Sequence, residues 1–326
     1  MVRCQTPNQS VILDYERTLG QEAIDIYKKT GLSPYPWQEK LVKDFFAVND
    51  DGLWTHSKFG YAIPRRNGKT EAIYMSELWF LMDGKNILHT AHRISTSHSS
   101  FEKMKKYLEK MGKVDKVDFN SIKAKGQERI ELIESGGVIQ FRTRTETGGL
   151  GEGFDLLVID EAQEYTEGQE SALKYTVTDS DNPMTLMCGT PPTLVSGGTV
   201  FTKYRDLILS GGKKHNGWAE WSVSEMTNPH DIEAWYKTNP SMGYKLRERA
   251  IEEEIGPDEI DFNIQRLGYW VRYNQKSAIS KLEWDKLKLK RLPTLVGKLH
   301  VGIKYGNDGK NVALSIAVKT LYNRSY

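Results

Sequence analysis

The sequence predicts an α/β protein in which a mostly parallel sheet is flanked by helices. Short apolar runs typical of buried strands alternate with stretches of helical periodicity. A turn ending in Gly-Lys-Thr lies between such a strand and a helix, and another apolar strand ends in two adjacent acids. We expect the main strands of this sheet at 59–63, 86–91, 155–160 and 184–188.

The composition is that of a globular chain with room for more than one domain. Its 326 residues are 38% hydrophobic and 27% charged. No apolar run reaches membrane-spanning length, and the N-terminus lacks the apolar stretch of a signal peptide. With only Cys4 and Cys188, neither a disulfide framework nor a cysteine metal site is expected. The resulting expectation is a protein of the reducing cytoplasm that does not contact a membrane.

The charge balance leaves room for a local contact with nucleic acid. The 45 basic and 43 acidic residues give a net charge of +2, which excludes a chain coated in positive charge. A run of lysines in and after the helix predicted over 97–111 is either a DNA-contacting stripe or a solvated helix face. These lysines are Lys103, Lys105, Lys106, Lys110, Lys113, Lys116, Lys123 and Lys125.

Two helices are predicted before the Gly-Lys-Thr turn. Residues 10–30 carry apolar and charged side chains at helical spacing, and the proline-containing segment 32–36 ends this pattern. A second helix begins near Trp37 and Gln38 and carries an apolar stripe. The aromatic ring and the amide at its start can contact an adenine base.

The turn 64–70 has the chemistry of a phosphate-binding loop. Its backbone N–H groups can point at phosphate oxygens, Lys69 can reach the β- and γ-phosphates, and Thr70 can bind Mg²⁺. A helix is predicted from residue 71 to residue 82, so the phosphates would lie at a helix N-terminus.

The loop departs from the usual Gly-x4-Gly-Lys-[Ser/Thr] pattern. Ile63 stands where that pattern has its first glycine, so the loop must turn differently. The adjacent Arg65 and Arg66 repel each other unless an anion or an acidic neighbour neutralises them. This pair of arginines therefore favours a polyphosphate ligand.

Polar side chains also follow two of the predicted strands. Asp160 and Glu161 end the strand 155–160 and point in different directions, so one can hold Mg²⁺ while the other polarises a water molecule. Thr190 follows the strand 184–188, where it either senses the γ-phosphate or belongs to an ordinary proline-rich turn. Together with the loop, these groups predict hydrolysis of a nucleoside triphosphate.

The rest of the chain continues this pattern and then becomes mostly helical. The other expected elements are a helix over 97–111, a hairpin of 130–133 and 138–142, a mobile glycine loop over 148–153, a helix over 171–175, helical stretches over 231–237, 246–255 and 258–269, and a hairpin of 299–304 and 312–318. The glycine loop precedes a strand, whereas a dinucleotide-binding glycine fingerprint must follow one, so it is not such a fingerprint.

In their order and spacing these motifs resemble the large terminase subunit of tailed bacteriophages. The segments that carry the resemblance are 36–38, 64–70, 151–162 and 189–192. It implies a P-loop NTPase of the RecA-like ASCE class, an ATPase motor that pumps double-stranded DNA into a procapsid in the host cytoplasm. It also implies a portal protein and a small terminase subunit as partners, and a homo-oligomeric ring when active.

The resemblance also implies a role for each matched residue. It assigns adenine to Gln38, the phosphates of ATP to Arg65, Arg66, Asn67, Gly68 and Lys69, Mg²⁺ to Thr70 and Asp160, the activation of water to Glu161, and coupling to movement to Thr190. An arginine from a neighbouring subunit is expected as well. Arg144 is the first candidate and Arg142 the second; both are equally well explained as surface charges of the hairpin.

The same resemblance divides the chain into four parts. They are an N-terminal adenine-contacting segment over 1–58, an ATPase core over 59–215, a helical linker over 216–295 and the first hairpin of an RNase H-like nuclease over 296–326. Lys304 stands where the nuclease has a metal-binding aspartate, Asp308 falls in the turn, and the sequence stops at Tyr326, so no nuclease activity is expected.

Two other functions fit the same motifs. A DNA helicase or remodelling ATPase shares the phosphate chemistry, although the mostly helical residues after Pro192 offer no second ATPase lobe. A terminase remnant that only binds its partners, without turning over ATP, is the non-enzymatic alternative.

Overall fold

The computed structural model describes residues 4–124, 128–146, 152–193, 195–271, 286–287, 295–305 and 312–320. The chain forms two compact units, Met1–Arg272 and Tyr273–Tyr326. Lys125, residues 148–151 of the glycine loop and Asp308 lie outside the described residues.

A nine-stranded sheet forms the centre of the first unit, with the strand order β1-β11-β4-β10-β9-β5-β8-β7-β6. The strands of this unit are β1 (Gln9–Val11), β2 (Arg17–Thr18), β3 (Ala47–Val48), β4 (Lys58–Ala62), β5 (Asn86–Ala91), β6 (Phe119–Ile122), β7 (Glu128–Leu132), β8 (Val138–Thr143), β9 (Leu156–Ile159), β10 (Met184–Gly189) and β11 (Asn216–Glu220). Pairing is parallel from β11 to β8 and antiparallel at both edges, and β2 pairs with β3 separately. The predicted mostly parallel sheet is confirmed.

Helices cover this sheet and continue after its last strand. They are α1 (Gly20–Lys28), α2 (Pro36–Phe45), α3 (Lys69–Met82), α4 (Ile94–Lys110), α5 (Glu167–Leu173), α6 (Val200–Leu209), α7 (Ile232–Thr238), α8 (Glu248–Glu252) and α9 (Glu259–Leu267). Of the helices in the described part of the chain, none combines the length and the hydropathy that crossing a bilayer requires.

The helix predicted over 10–30 is wrong in its first half. Only Gly20–Lys28 is helical, and Gln9–Val11 instead pairs with β11 as an edge strand of the sheet. Helical periodicity is a weak signal over so short a segment, and here the unpaired edge of β11 decides the outcome.

Two apolar clusters occupy the two faces of the sheet. The first contains buried side chains of α1 to α4, such as Trp37, Phe45 and Leu78, and the second contains Phe201 and Trp218. Successive strand residues point to opposite faces, which is why neighbouring residues of β4 join different clusters. The sheet is therefore covered on both sides, as a mostly parallel sheet requires.

Helix α3 is buried almost all round, so its few polar side chains need partners inside the protein. Glu77 is fully buried, and its Oε1 lies 2.5 Å from Nδ1 of the equally buried His89 on β5. Burial raises the pKa of Glu77, with His89 opposing it. Burial would lower the pKa of His89, but the Glu77 carboxylate raises it above its ordinary value. The pair ties α3 to the strand beside β9.

Replacing Glu77 with alanine is expected to destabilise the fold by about 3–5 kcal/mol, because a buried imidazole loses the carboxylate that it contacts. Denaturant unfolding monitored by tryptophan fluorescence measures this change. Asp83→Ala is the control, since Asp83 ends the same helix at the surface and lies 3.9 Å from Lys85, an exposed pair worth under about 1 kcal/mol. Equal losses for the two variants would contradict the importance of the buried pair.

The sheet extends beyond residue 215, where the linker is expected to begin. All five residues of β11 are buried, and the strand pairs with β4. The helices α7 to α9 follow it and build a small core of their own. Its buried members are Ala234, Trp235, Met242, Leu246, Ile251, Phe262 and Leu267.

The second unit contains the predicted hairpin. Its strands, β12 (Leu295–Tyr305) and β13 (Val312–Thr320), pair antiparallel with a register shift between Leu295 and Leu299. Lys304 lies opposite Ala313 in this pairing.

Candidate nucleotide-binding site

The loop between β4 and α3 ends in a left-handed turn. Gly68 has φ 90° and ψ 36°, and Arg66 has φ 65°, a conformation that non-glycine residues rarely adopt. The positive φ of Gly68 favours glycine, and a Cβ there would in addition lie 3.3 Å from Nε2 of Gln38, which would have to shift slightly. Helix α3 begins directly afterwards, and the first N–H groups of a helix have no partner within it. The loop therefore presents backbone donors to an anion.

The acids of the second motif follow β9 at the same edge of the sheet. Asp160 is 3% exposed, and its Oδ2 lies 3.5 Å from Oγ1 of Thr70 at the start of α3. Glu161 is half-buried and left-handed, with φ 53° and ψ 49°. Strained residues of this kind concentrate at functional sites. The structure thus brings together the two segments that the sequence separates by 90 residues.

The surroundings of Asp160 keep its carboxylate ionised. Burial opposes ionisation, but the charges of Lys69 and His89 outweigh it, so the pKa of Asp160 lies below its ordinary value. Cys188 Sγ donates to Oδ1 over 3.0 Å, and the N–H of Glu161 donates to the same oxygen over 2.8 Å. Oδ2 is the oxygen that faces Thr70.

This pair of oxygens fits a Mg²⁺ ion that is shared with a nucleotide. Neighbouring ligands of an octahedral Mg²⁺ at ~2.1 Å lie about 3 Å apart, close to the separation of Thr70 and Asp160. Within the described ranges, no group of three or more His, Cys, Asp or Glu side chains is placed to hold a metal ion. Phosphate oxygens and water would have to complete the coordination, which is how Mg²⁺ is usually held beside a nucleotide.

Thr190 follows β10, the strand that lies between β4 and β9. It is 3% exposed, and its N–H donates to Oε1 of Gln163 over 3.4 Å. Gln163 lies in the short 3-10 turn Ala162–Glu164, directly after Glu161. With Arg65 and Arg93, both residues line a cavity of about 370 Å³. Sequence reasoning missed Gln163 and Arg93, although each follows the end of a predicted strand.

Solved structures resemble this architecture, whereas no protein-family model and no curated protein matches the chain. The large terminase of bacteriophage HK97 matches with a TM-score of 0.65 and 15% identity, over 94% of this chain and 66% of that chain. The chain has the fold of a phage large terminase. The ATPase domain of the Thermus phage P74-26 large terminase matches with a TM-score of 0.51 and 16% identity, over 75% of this chain and 97% of that chain.

The terminase fold is a P-loop, RecA-like one, so the predicted fold class is confirmed. The chain spans about two thirds of the length of the HK97 protein.

The position of Arg144 differs from the one expected of a terminase arginine that acts in a neighbouring subunit. It is 5% exposed, and its guanidinium donates to the carbonyl oxygens of Asp160 over 2.6 Å and of Glu161 over 3.0 Å. A further bond of 3.2 Å reaches the carbonyl of Thr90. The side chain is thus enclosed in its own subunit, where it supports the acidic turn. This geometry does not fit a finger directed outward.

Arg142 occupies the more accessible position of the two candidates. Its side chain is 27% exposed, and its Nη2 donates to both carboxylate oxygens of Glu152, over 2.6 and 2.8 Å. Glu152 belongs to the predicted glycine loop 148–153. Of the two arginines, Arg142 is the one whose partner is close to the surface.

The side chain of Asn67 is buried inside the protein. It is 1% exposed, and its Nδ2 donates to the carbonyl of Pro64 over 3.0 Å and to Oδ1 of Asn239 over 2.8 Å. Its Oδ1 accepts the N–H of Ser241 over 3.1 Å. The side chain of Asn67 therefore has internal partners, and a phosphate contact at this residue stays a prediction. The side chain of Arg65 also has a partner within the protein, since its Nε donates to Oε1 of Gln265 over 2.5 Å.

Gln38 uses its amide to join α2 to the loop. Its Oε1 accepts the N–H of Tyr35 over 2.8 Å, and its Nε2 donates to the carbonyl of Gly68 over 2.9 Å. The side chain is 3% exposed. These contacts cap α2 and hold the turn that precedes Lys69, and a role of Gln38 in sensing adenine stays a prediction.

Of the seven lysines of this run that the structure describes, five are paired with acids: Lys103, Lys105, Lys113, Lys116 and Lys123. Lys105 lies 2.8 Å from Asp115, and Lys123 lies 2.6 Å from Glu102. Lys103 lies 3.5 Å from Glu71. These pairs favour the solvated helix face over the DNA-contacting stripe, because the paired charges largely cancel.

Proposed function

We propose that this chain is the ATPase subunit of a motor that drives double-stranded viral DNA into a procapsid in the host cytoplasm. The observation that carries the proposal is the approach of Thr70 to Asp160 at 3.5 Å, at the N-terminus of α3 and the end of β9. The likeness to the HK97 large terminase and to the P74-26 terminase ATPase domain supports it.

Each group at the site has one task under this proposal. Lys69 and the first N–H groups of α3 bind the phosphates of ATP, and Thr70 and Asp160 hold Mg²⁺. When bound, Mg²⁺ neutralises the charge that develops on the phosphate oxygens. Glu161 orients and polarises the attacking water, and Thr190 transmits the state of the γ-phosphate through its bond to Gln163.

The remaining parts of the proposal concern the assembly. A ring of identical subunits would place an arginine of one subunit at the site of the next, and Arg142 is our choice for it. Double-stranded DNA, a portal protein and a small terminase subunit are the proposed partners. We assign no nuclease site to the hairpin of β12 and β13, where Lys304 stands in place of the expected aspartate.

Replacing Lys69 with alanine is expected to lower the rate of ATP hydrolysis by about 10²–10³-fold, because the phosphates lose a positive charge that the transition state needs. Phosphate release is measured with and without double-stranded DNA. Lys85→Ala serves as the control, since Lys85 is 46% exposed and follows the far end of the same helix. Equal rates for wild type and Lys69→Ala would refute the proposed site.

Two further measurements separate the alternatives. Unwinding of duplex DNA by the wild-type protein would indicate a helicase rather than a packaging motor. Nucleotide binding without any phosphate release, in the presence of DNA and at all protein concentrations, would indicate a binding module.

A further inference from the structure

A buried turn between α7 and α8 forms hydrogen bonds with the phosphate loop, residues 64–70. Thr238, the last residue of α7, and Asn239 and Ser241 of the turn are all fully buried, although each has a polar side chain. Buried polar groups of this kind are retained where their hydrogen bonds fix a particular arrangement. The partner of the turn is Asn67, the residue immediately before Gly68.

Three hydrogen bonds join the turn to Asn67, and a fourth joins Ser241 to Trp37 of α2. Nδ2 of Asn67 donates to Oδ1 of Asn239 over 2.8 Å, and the N–H of Ser241 donates to Oδ1 of Asn67 over 3.1 Å. The hydroxyl of Ser241 donates to the carbonyl of Asn67 over 2.7 Å and accepts from Nε1 of Trp37 over 3.1 Å. Both the side chain and the peptide of Asn67 are therefore held.

The turn is itself anchored to α9. Nδ2 of Asn239 donates to the carbonyl of Arg266 over 2.8 Å, and Nη1 of Arg266 donates to the carbonyl of Arg65 over 2.8 Å. Arg266 is also paired with Glu254 after α8. The helical segment 223–271 thus contacts the loop at two points, on either side of the left-handed Arg66.

These hydrogen bonds affect how the phosphate loop can bind an anion. The orientation of the peptide between Asn67 and Gly68 decides where the following N–H groups point. Left-handed residues such as Arg66 persist only where the surrounding structure fixes them. The hydrogen bonds of the turn supply that constraint.

We propose that Asn239 and Ser241 are positioning residues that hold the phosphate loop in its anion-binding conformation and couple nucleotide occupancy to the turn 239–241. The inference rests on the proposed binding of ATP at residues 64–70. Coupling of this kind is reciprocal: a turn that favours the binding-competent loop must itself be stabilised by the nucleotide.

The first test compares two buried asparagines of the same helical segment. Asn239→Ala removes the bond to Asn67, whereas Asn263→Ala removes bonds of Asn263 to Thr227 and Glu259, away from the loop. Both variants are expected to lose thermal stability. Only Asn239→Ala is expected to raise the Kd for a fluorescent ATP analogue and the KM for ATP, by roughly 10-fold, while kcat at saturating ATP changes by less than about 3-fold.

A second measurement uses the wild-type protein, so that it does not depend on how a variant folds. The hydrogen of the Ser241 backbone N–H is expected to exchange with solvent roughly 10-fold more slowly when a non-hydrolysable ATP analogue is bound. The amide of Thr227 in the same segment serves as the reference and is expected to change little.

Each outcome decides one question. Equal losses of affinity in Asn239→Ala and Asn263→Ala, or an unchanged exchange rate at Ser241 while the analogue is demonstrably bound, would overturn the coupling. Failure of the wild-type protein to bind the analogue would instead overturn the proposed nucleotide site.

Discussion

Glu161→Gln is expected to lower the rate of ATP hydrolysis by about 10²–10⁴-fold, because the amide cannot accept a proton from the attacking water. Glu161 follows the strand that delivers Asp160, and its backbone is left-handed. Oδ2 of Asp160 faces Thr70, with which Asp160 is proposed to hold Mg²⁺. Glu161 is therefore the acid that remains to activate the water. Nucleotide binding should persist, since Lys69, Thr70 and Asp160 remain in place.

The change is measured as phosphate release under DNA-stimulated conditions, beside the Kd for a fluorescent ATP analogue. Glu167→Gln is the control, because it removes the same charge from an exposed position on α5, where Glu167 pairs with Lys203. Its turnover should match that of the wild type. Wild-type turnover in Glu161→Gln would show that another group activates the water.

The four central residues of the site were predictable because each lies next to a strand end or a helix start. Lys69 and Thr70 begin α3, and Asp160 and Glu161 follow β9. The carboxyl ends of parallel strands meet at one edge of a sheet, so the order of elements alone brings these residues together.

The supporting contacts could not be predicted in this way. The partners of Asn67 lie 172 and 174 residues further along the chain, and nothing in the local pattern points to them. An asparagine in a phosphate loop is equally suited to bind a ligand and to form hydrogen bonds with a buried turn. Only the position of the turn after α7 decides between them.

Strand β11 escaped prediction for a similar reason. Its residues Asn216–Glu220 include a glycine and two polar ends, so they lack the apolar run of a central strand. The strand is specified by its neighbours: a Cβ on Gly60 of β4 would lie 2.6 Å from the ring of Trp218. Glu220 is buried against Arg205, whose Nη2 donates to it over 2.7 Å. Both features depend on residues distant in sequence.

Arg144→Ala is expected to impair the site from within its own subunit. The carbonyl oxygens of Asp160 and Glu161 lose the donors that lie at 2.6 and 3.0 Å, which should cost about 2–4 kcal/mol of folding stability. Small displacements of catalytic groups are expensive, so turnover should fall by roughly 10²-fold. Arg144→Lys should fail as well, because an ammonium group cannot reproduce the planar fork that reaches both carbonyls.

Mixing experiments distinguish this role from that of an arginine supplied by a neighbour. A ring that contains Arg142→Ala and Glu161→Gln subunits has interfaces at which an intact site meets an intact Arg142. If Arg142 is the arginine supplied in trans, worth about 10³–10⁵ in rate, the mixture should recover DNA-stimulated hydrolysis that neither variant has alone.

The corresponding mixture of Arg144→Ala with Glu161→Gln should recover nothing, because each Arg144→Ala subunit carries a damaged site and each Glu161→Gln subunit lacks its water-activating acid. Recovery in that mixture would mean that ring assembly withdraws Arg144 from the carbonyls of Asp160 and Glu161 and presents it to the next subunit. The hydrogen bonds of Arg144 to these two carbonyls would then belong to a resting state, and they would break when the ring assembles.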